Sequence, residues 1–351
     1  MSTTSKTLEA KCLCGSVHFN VEVPEALLPL SAYMCHCSIC RYSTGAPCIF
    51  HTVLPAEAKR TFIAPSSMES LDSWPVEQQS WKFCSTCGSH VTAVSPEGTW
   101  TMANSLFVDH SPELVRFTKQ VYSKSAKGGG IGNMCLRIGG LDIEDKNPPP
   151  NSPRAKIVES KQEFGPDGEE RLRAECACGG VSFTIRRPDQ AALDDDFWRK
   201  YVFPLDKSKW SATFDLCNDC RFANGTHVIG WTFLPRAYCE PAIGPDLKIG
   251  TMKTYESSPG VLRSFCGTCS ATFFYTCSER DPSADRQVVD LATGVLRAPE
   301  GVMAEKWLGW RSRVAWQDCG DKYSHDFAEA LQKGMKDWVL ERYGQEVTGE
   351  I

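Results

Sequence analysis

Two periodicities organise this chain. Apolar and polar residues alternate through Val17-His18-Phe19-Asn20-Val21-Glu22-Val23 and again through Val181-Ser182-Phe183-Thr184-Ile185. A period of two places the apolar side chains on one face of a strand. Pro and Gly recur at short intervals, so most of the remaining text reads as short strands joined by turns. Near the C-terminus the period changes. Phe327, Leu331, Met335, Trp338 and Val339 fall on one face of a helix that Ser324 is placed to cap. The stretch from Asp145 to Glu170 has neither period. It holds Pro148-Pro149-Pro150, Pro153, Gly165-Pro166 and many charges, and it reads as a linker.

On either side of that linker the same text occurs twice. The first series is Cys12-x-Cys14-Gly15, Cys35-x-Cys37-x-x-Cys40-Arg41, Cys84-x-x-Cys87-Gly88. The second is Cys176-x-Cys178-Gly179, Asp215-x-Cys217-x-x-Cys220-Arg221, Cys266-x-x-Cys269-Ser270. The flanks repeat as well: Phe83-Cys84-Ser85-Thr86-Cys87 answers Phe265-Cys266-Gly267-Thr268-Cys269. Cys40 to Cys84 is 44 positions and Cys220 to Cys266 is 46. Such self-similarity predicts a duplicated module, with a first domain over 10–145, a linker over 146–171 and a second domain over 172–345. The second copy is longer around Asp189 to Lys209, which includes Asp194-Asp195-Asp196 and reads as a surface insertion with a short helix.

Composition narrows the function. A chain of 351 residues with a net charge of -5 lacks a bulk basic surface for nucleic acid. Met1 to Lys11 is polar, with no apolar signal region, and no run is long enough to span a membrane. The expected compartment is the cytoplasm. There, 18 clustered cysteines favour metal over disulfides.

The spacings then divide into two kinds. Cys12 and Cys14 with Cys84 and Cys87 supply four soft ligands, and so do Cys176 and Cys178 with Cys266 and Cys269. Closed tetrahedra of this type are structural zinc sites. Cys35, Cys37 and Cys40 supply three, which leaves a fourth position for water or substrate unless Cys48 or His51 closes it. Zinc held by three thiolates carries net negative charge and is a weak Lewis acid, better suited to a thiol, a thiohemiacetal or a sulfur leaving group. Arg41 is a candidate to offset that charge or hold a carboxylate, or else a surface ion-pair residue. His36 is read as a hydrogen-bonding or packing residue. In the second copy Asp215, Cys217 and Cys220, with His227 as a possible fourth ligand, are either a further site or its remnant. Cys135, Cys239, Cys277 and Cys319 lack partner spacing and read as packing residues.

The pattern C-x-C-G…C-x-C-x-x-C-R…C-x-x-C-G resembles the glutathione-dependent formaldehyde-activating enzyme family, which includes the centromere protein V type. Two copies of the framework cover most of the chain. The resemblance implies coiled antiparallel sheets, the β-tent, in each copy. It implies structural zinc on Cys12, Cys14, Cys84 and Cys87 and on Cys176, Cys178, Cys266 and Cys269. It further implies a catalytic zinc on Cys35, Cys37 and Cys40 and a carbon–sulfur lyase acting on adducts such as S-hydroxymethylglutathione. Two departures stand out: Asp215 replaces the first cysteine of the second middle cluster, and Ser270 replaces the glycine of the last knuckle.

Two functions compete on these grounds. One is a zinc-dependent carbon–sulfur lyase for a glutathione adduct or another sulfur-containing small molecule, with Trp307, Trp310 and Trp316 lining a pocket or packing in the core. The other is a non-catalytic zinc scaffold for a protein partner. The number of ions, and whether one keeps an open position, separates the two.

Overall fold

A computed structural model describes residues 4–149, 152, 160–280, 283 and 285–349. The chain is mainly β, with several antiparallel sheets and one long C-terminal helix. Part of the expected linker, residues 150–151 and 153–159 with Pro150 and Pro153, lies outside the described residues. The rest of it is not all loop. Glu163–Phe164 pairs antiparallel with the strand Glu170–Glu175, and Glu144–Lys146 joins the edge of a large sheet.

Two sets of sheets follow one another along the chain. In the first, a large sheet runs Glu144–Lys146, Val115–Val121, Leu30–Cys35, Ile49–Val53, Trp100–Ala103, His90–Val94, Gln79–Cys84, Leu71–Val76. In the second, the order is Leu308–Trp310, Trp210–Asp215, Ile229–Pro235, Val288–Ala292, Thr272–Cys277, Val261–Cys266, Met252–Ser258. Apart from the first strand of the larger sheet, each strand of one has its counterpart in the other. Even the parallel pairing recurs: Leu30–Cys35 lies parallel to Val115–Val121, and Trp210–Asp215 to Leu308–Trp310. A smaller sheet accompanies each large one, built on Ser5–Lys11 with His18–Pro24, and on Glu170–Glu175 with Ser182–Ile185.

The alternation read from the text appears as burial. In His18–Pro24 the residues Phe19, Val21 and Val23 are buried and their neighbours are not. The central strands Trp210–Asp215 and Ile229–Pro235 are buried at every position, so both their faces are covered. Around Asp189–Lys209 the predicted short helix is Gln190–Asp194, capped by the Asp189 side chain, which accepts from Ala192 N. Asp195 and Asp196 both pair with Arg286 at 2.6 Å.

The C-terminal helix begins earlier than its apolar pattern suggested. Helical hydrogen bonding runs from Gln317 to Tyr343, and Ser324 breaks it with φ -158 and ψ 68. The predicted cap therefore divides a short helical stretch from the long one. Beyond it Phe327, Leu331, Met335, Trp338 and Val339 are all buried. Each contributes about 2 kcal/mol of burial. Phe327 packs on Phe50 and Phe117 of the first set of sheets, with ring centroids 5.1 and 5.6 Å away, and lies 5.9 Å from His227 of the second. The last helix thus completes the core of the first half.

The two halves meet through reciprocal contacts. Leu13 N donates to Phe222 O at 3.2 Å, and Ala177 N donates to Tyr42 O at 2.9 Å. These are equivalent positions in the two cysteine series. Gly45 and Gly225, which end the two short helices in the left-handed region, behave alike. A Cβ on Gly45 would sit 2.3 Å from Thr272 O, and one on Gly225 would sit 2.1 Å from His90 O. Each half thus inserts its helix end against the other's strand, as two-fold related subunits do.

Burial holds imidazoles at this junction neutral, His227 among them. His90 and His110 are pushed down to about 3 by desolvation. Free imidazole titrates near about 6.5, so below that pH the unfolded chain takes up protons that the folded chain refuses. Stability present above about 6.5 is lost as acid is added, at about 1.4 kcal/mol per pH unit for each group. His110→Asn should flatten the slope by about that amount in urea unfolding followed from neutral pH to about 5. An unchanged slope would mean His110 is not buried neutral.

Candidate metal centres

Four groups of metal-ligating side chains come together among the described residues: Cys12, Cys14, Cys84, Cys87; Cys176, Cys178, Cys266, Cys269; Cys35, Cys37, Cys40; and Asp215, Cys217, Cys220. Within each group the ligand atoms all lie within 4.8 Å of one another. All 18 cysteines are free thiols, so none of these approaches is a disulfide.

The two four-cysteine groups are built alike. Cys12 and Cys14 follow the first strand of a small sheet, while Cys84 ends a strand of the large sheet and Cys87 lies in the following turn. Sγ–Sγ separations are 3.5 Å for Cys12–Cys14 and Cys14–Cys84, and 3.5 Å for Cys176–Cys178 and Cys178–Cys266. Tetrahedral zinc with sulfur at about 2.3 Å places its ligands under about 4 Å apart, so both groups fit such an ion. Backbone N–H groups point at the sulfurs: Val17 N to Cys12 at 3.4 Å, Val181 N to Cys176 at 3.3 Å. In each turn the chain goes left-handed at the position after the second cysteine, Gly88 with φ 77 and Ser270 with φ 70. Ser270 tolerates this conformation while its hydroxyl donates to Ser43 O across the junction at 3.1 Å.

The middle cluster of the first half sits at a strand–helix corner. Cys35 ends Leu30–Cys35, Cys37 caps the helix Ser38–Thr44, and Cys40 lies in its first turn. Cys37 Sγ is 3.1 Å from Cys40 Sγ and accepts from Cys40 N at 3.5 Å; Cys40 Sγ is 3.4 Å from Cys35 Sγ. Of these thiols, Cys35 and Cys40 resist ionisation. Burial and the neighbouring sulfurs push Cys40 up, and the hydrogen bond with Cys37, then burial, pushes up Cys35. A divalent ion would reverse this.

Cys35 and Cys40 open onto a cavity of about 340 Å³. Its walls include Tyr33, His51, Trp81, Lys119 and Tyr122. Among the described residues no fourth His, Cys, Asp or Glu joins the cluster. Cys48 is buried elsewhere in the core. His51 lines the cavity instead, its Nε2 2.9 Å from His90 Nε2, and the Trp81 ring lies tilted against His90 with centroids 4.8 Å apart. His36 turns away to a buried place beside Gln120 and Gly132, and burial, then Arg41, pushes it down to about 4. Arg41 is buried too, but it lines a different cavity, between the halves.

The corresponding corner of the second half keeps the backbone arrangement and changes the side chains. Asp215, Cys217 and Cys220 occupy the same strand end, helix cap and first turn. Asp215 Oδ1 accepts from Cys217 N at 2.5 Å, and burial pushes its carboxyl up to about 6. Next to it stands Arg263, 8% exposed, with Nη1 3.6 Å from Cys220 Sγ and its guanidinium 4.8 Å from the Tyr275 ring centroid. Burial opposes the charge of Arg263, and Cys220 holds it protonated nonetheless. His227 is not at this site; its Nε2 bonds Asn104 Oδ1 at 2.7 Å, at the junction. Trp307 and Trp310 are buried in the core, while Trp316, 63% exposed, lines a cavity of about 660 Å³ that Asp215 shares.

Three of these side chains, His90, Trp81 and Arg263, escaped the reading by cysteine spacing. Aligning the copies on Phe83-Cys84 and Phe265-Cys266 sets Trp81 against Arg263, and His90 falls opposite Thr272. The differences between the copies carried the signal.

Cys84→Ser and Cys266→Ser should each remove one metal equivalent and destabilise the chain by several kcal/mol, since binding energy at such sites is folding energy. Metal analysis with thermal unfolding tests this; unchanged metal content in either variant contradicts it.

No curated protein matches the chain. Residues 7–125 match the family model of the glutathione-dependent formaldehyde-activating enzyme, so the first half is similar to that family over the segment that carries Cys12 to Cys87.

Proposed function

We propose that this protein is a zinc-dependent carbon–sulfur lyase for a thiol adduct, with its reactive centre in the first half alone. The observation that carries the proposal is the three-sulfur corner at Cys35, Cys37 and Cys40, which faces a cavity and has no fourth ligand among the described residues. The match of residues 7–125 supports a glutathione-related substrate. Bound there, zinc would supply a weak Lewis acid with an affinity for sulfur.

The chain's own residues account for the rest. Opening an adduct of the type RS–CH(OH)R′ breaks the carbon–sulfur bond, takes a proton from the hydroxyl and returns one to sulfur. His51 lines the cavity and is the group that holds and moves that proton; His90, kept neutral by burial, fixes its orientation. Tyr33 and Trp81 keep the walls apolar. Lys119, with Nζ 5.6 Å from the Tyr33 ring centroid, offers a cation for a substrate carboxylate. The cavity lies near the lower end of the about 300–1,000 Å³ usual for small-molecule sites.

In the second half we assign the place of the ion to Arg263. Its guanidinium supplies next to Cys220 the positive charge that a metal would, and the His51–His90 pair is missing, with Trp231 and Thr272 in its place. The chain then holds three ions: two structural and one reactive.

His51→Gln should lower turnover of thiol–aldehyde adducts, glutathione–formaldehyde among them, by about 10²-fold or more with metal content unchanged. Cys37→Ala should remove one ion and the activity together. Cys217→Ala should leave metal content at the wild-type value. Nuclear magnetic resonance of aldehyde exchange and metal analysis read these outcomes. Wild-type inactivity on every adduct, or loss of an ion from Cys217→Ala, overturns the proposal.

A further inference from the structure

The two arginines that follow the middle clusters should be equivalent, and they are not. Arg221 is hydrogen-bonded at all three of its nitrogens. Its Nη1 donates to the carbonyls of Ser105 and Phe107, the latter at 2.8 Å, and its Nε and Nη2 donate to Asn218 Oδ1 at 3.0 and 2.6 Å. The first two bonds cross the junction, so Arg221 braces the second half against the first. Arg41 occupies the matching place in the first half and is as deeply buried, at 5% exposed. Yet among the described residues its hydrogen bonds are from Nε to His36 O at 3.2 Å and to the neighbouring Tyr42 side chain, and no carboxylate reaches it. The carbonyls that would answer those of Ser105 and Phe107 belong to Gly294 and Leu296. They do not accept from Arg41.

Where those bonds are missing the structure has a cavity of about 300 Å³ between the halves. Arg41, Tyr42 and Lys127 line one side; Leu296, Ala298 and Val302 line the other. Lys127 Nζ reaches across to Pro299 O at 2.5 Å. A third cation stands close, with the Arg297 guanidinium 3.1 Å from the Tyr42 ring centroid, and its Nε is buried without a partner. Arg297 has Glu175 at 3.6 Å; Arg41 and Lys127 have no acidic partner among the described residues. A buried guanidinium with unused N–H groups, facing a cavity, is uncompensated charge.

We propose that this cavity binds a small oxyanion, a carboxylate or phosphate head group on a short apolar body, held by Arg41 and Lys127 and wedged between the two halves. The planar guanidinium suits a bidentate oxyanion. The apolar far wall sets the character of the attached group. The site stands apart from the cavity of Cys35 and Cys40, which Arg41 does not line, so it is independent of the lyase reading. A bound anion would supply the acceptors that Arg221 finds in the protein, and would tighten the junction.

The test is calorimetric titration of the metal-loaded full chain with inorganic phosphate and, separately, with butyrate, at matched ionic strength. Thermal unfolding in each ligand follows as a second readout. Saturable binding with a raised unfolding midpoint is expected for one anion or both, and which of them binds identifies the head group. Arg41→Gln should weaken binding by about tenfold or more, Lys127→Ala by a smaller factor. Val302→Trp, which fills the cavity without touching either cation's charge, should abolish it even if Arg41→Gln fails to fold. Absence of saturable binding by both anions, or binding unaltered in Val302→Trp, overturns the proposal.

Discussion

Clustered thiolates repel, and this chain gathers them. Sulfurs in three of the groups approach to 3.1–3.5 Å. Two unit charges at that separation cost about 5 kcal/mol at an effective dielectric constant of about 20. A buried set of such groups either keeps its protons or takes up a cation, and a divalent metal removes the conflict outright. The fold is arranged around that requirement. In each half the four-cysteine group joins the small sheet, through Cys12 and Cys14 or Cys176 and Cys178, to the large sheet, through Cys84 and Cys87 or Cys266 and Cys269. Neither sheet needs a disulfide to hold the other. At the middle corners the same requirement is met in two ways. Three sulfurs in the first half leave room for an ion with an open position. One carboxyl and two sulfurs in the second half have the side chain of Arg263 beside them, with Nη1 3.6 Å from Cys220 Sγ.

Having two halves does more than double the sites. The hydrogen bonds Leu13–Phe222 and Ala177–Tyr42 are mirror versions of one contact, and Gly45 and Gly225 each make room for a strand of the other half. A symmetric pair of identical subunits would have to make both copies of every such contact with the same two residues. In one chain each end is free to change. Cys35 and Asp215, His51 and Trp231, Trp81 and Arg263 are such changes around the metal corners, and the fates of Arg41 and Arg221 are another at the junction. The C-terminal helix adds a contact with no counterpart, since Phe327 fills the core between Phe50, Phe117 and His227.

Much of this was legible in the text. Cysteine spacing pointed to all four ligand groups, because a metal site needs particular side chains at particular separations and these survive in the sequence. Period-two alternation located Phe19, Val21 and Val23 as one buried face, and the period of the last helix located its five core residues. The long helix starts at Ser324 as its apolar pattern indicated; the short stretch before it went unread because Gln317 to Tyr323 carries no repeating apolar face and is held instead by packing, with the Tyr323 hydroxyl donating to His227 O at 2.7 Å. Histidines were harder. His51 and His227 read as spare ligands from their nearness in sequence, yet His51 points into a cavity and His227 bonds Asn104 from the other half. Arg41 read as a neighbour of the metal corner; adjacency along a helix turned it instead to the opposite cavity. Contacts between residues a hundred positions apart leave no trace in local spacing.

The proposed function requires that one ion stays unsaturated while the other two are closed. X-ray diffraction from crystals of the metal-loaded protein, with anomalous data at the zinc edge, tests it directly. We expect two ions each within four cysteine sulfurs, a third bound by Cys35, Cys37 and Cys40 plus one water or substrate atom inside the cavity, and no anomalous peak at Asp215. A fourth peak beside Cys220, or a protein side chain completing the coordination of the third ion, would contradict it.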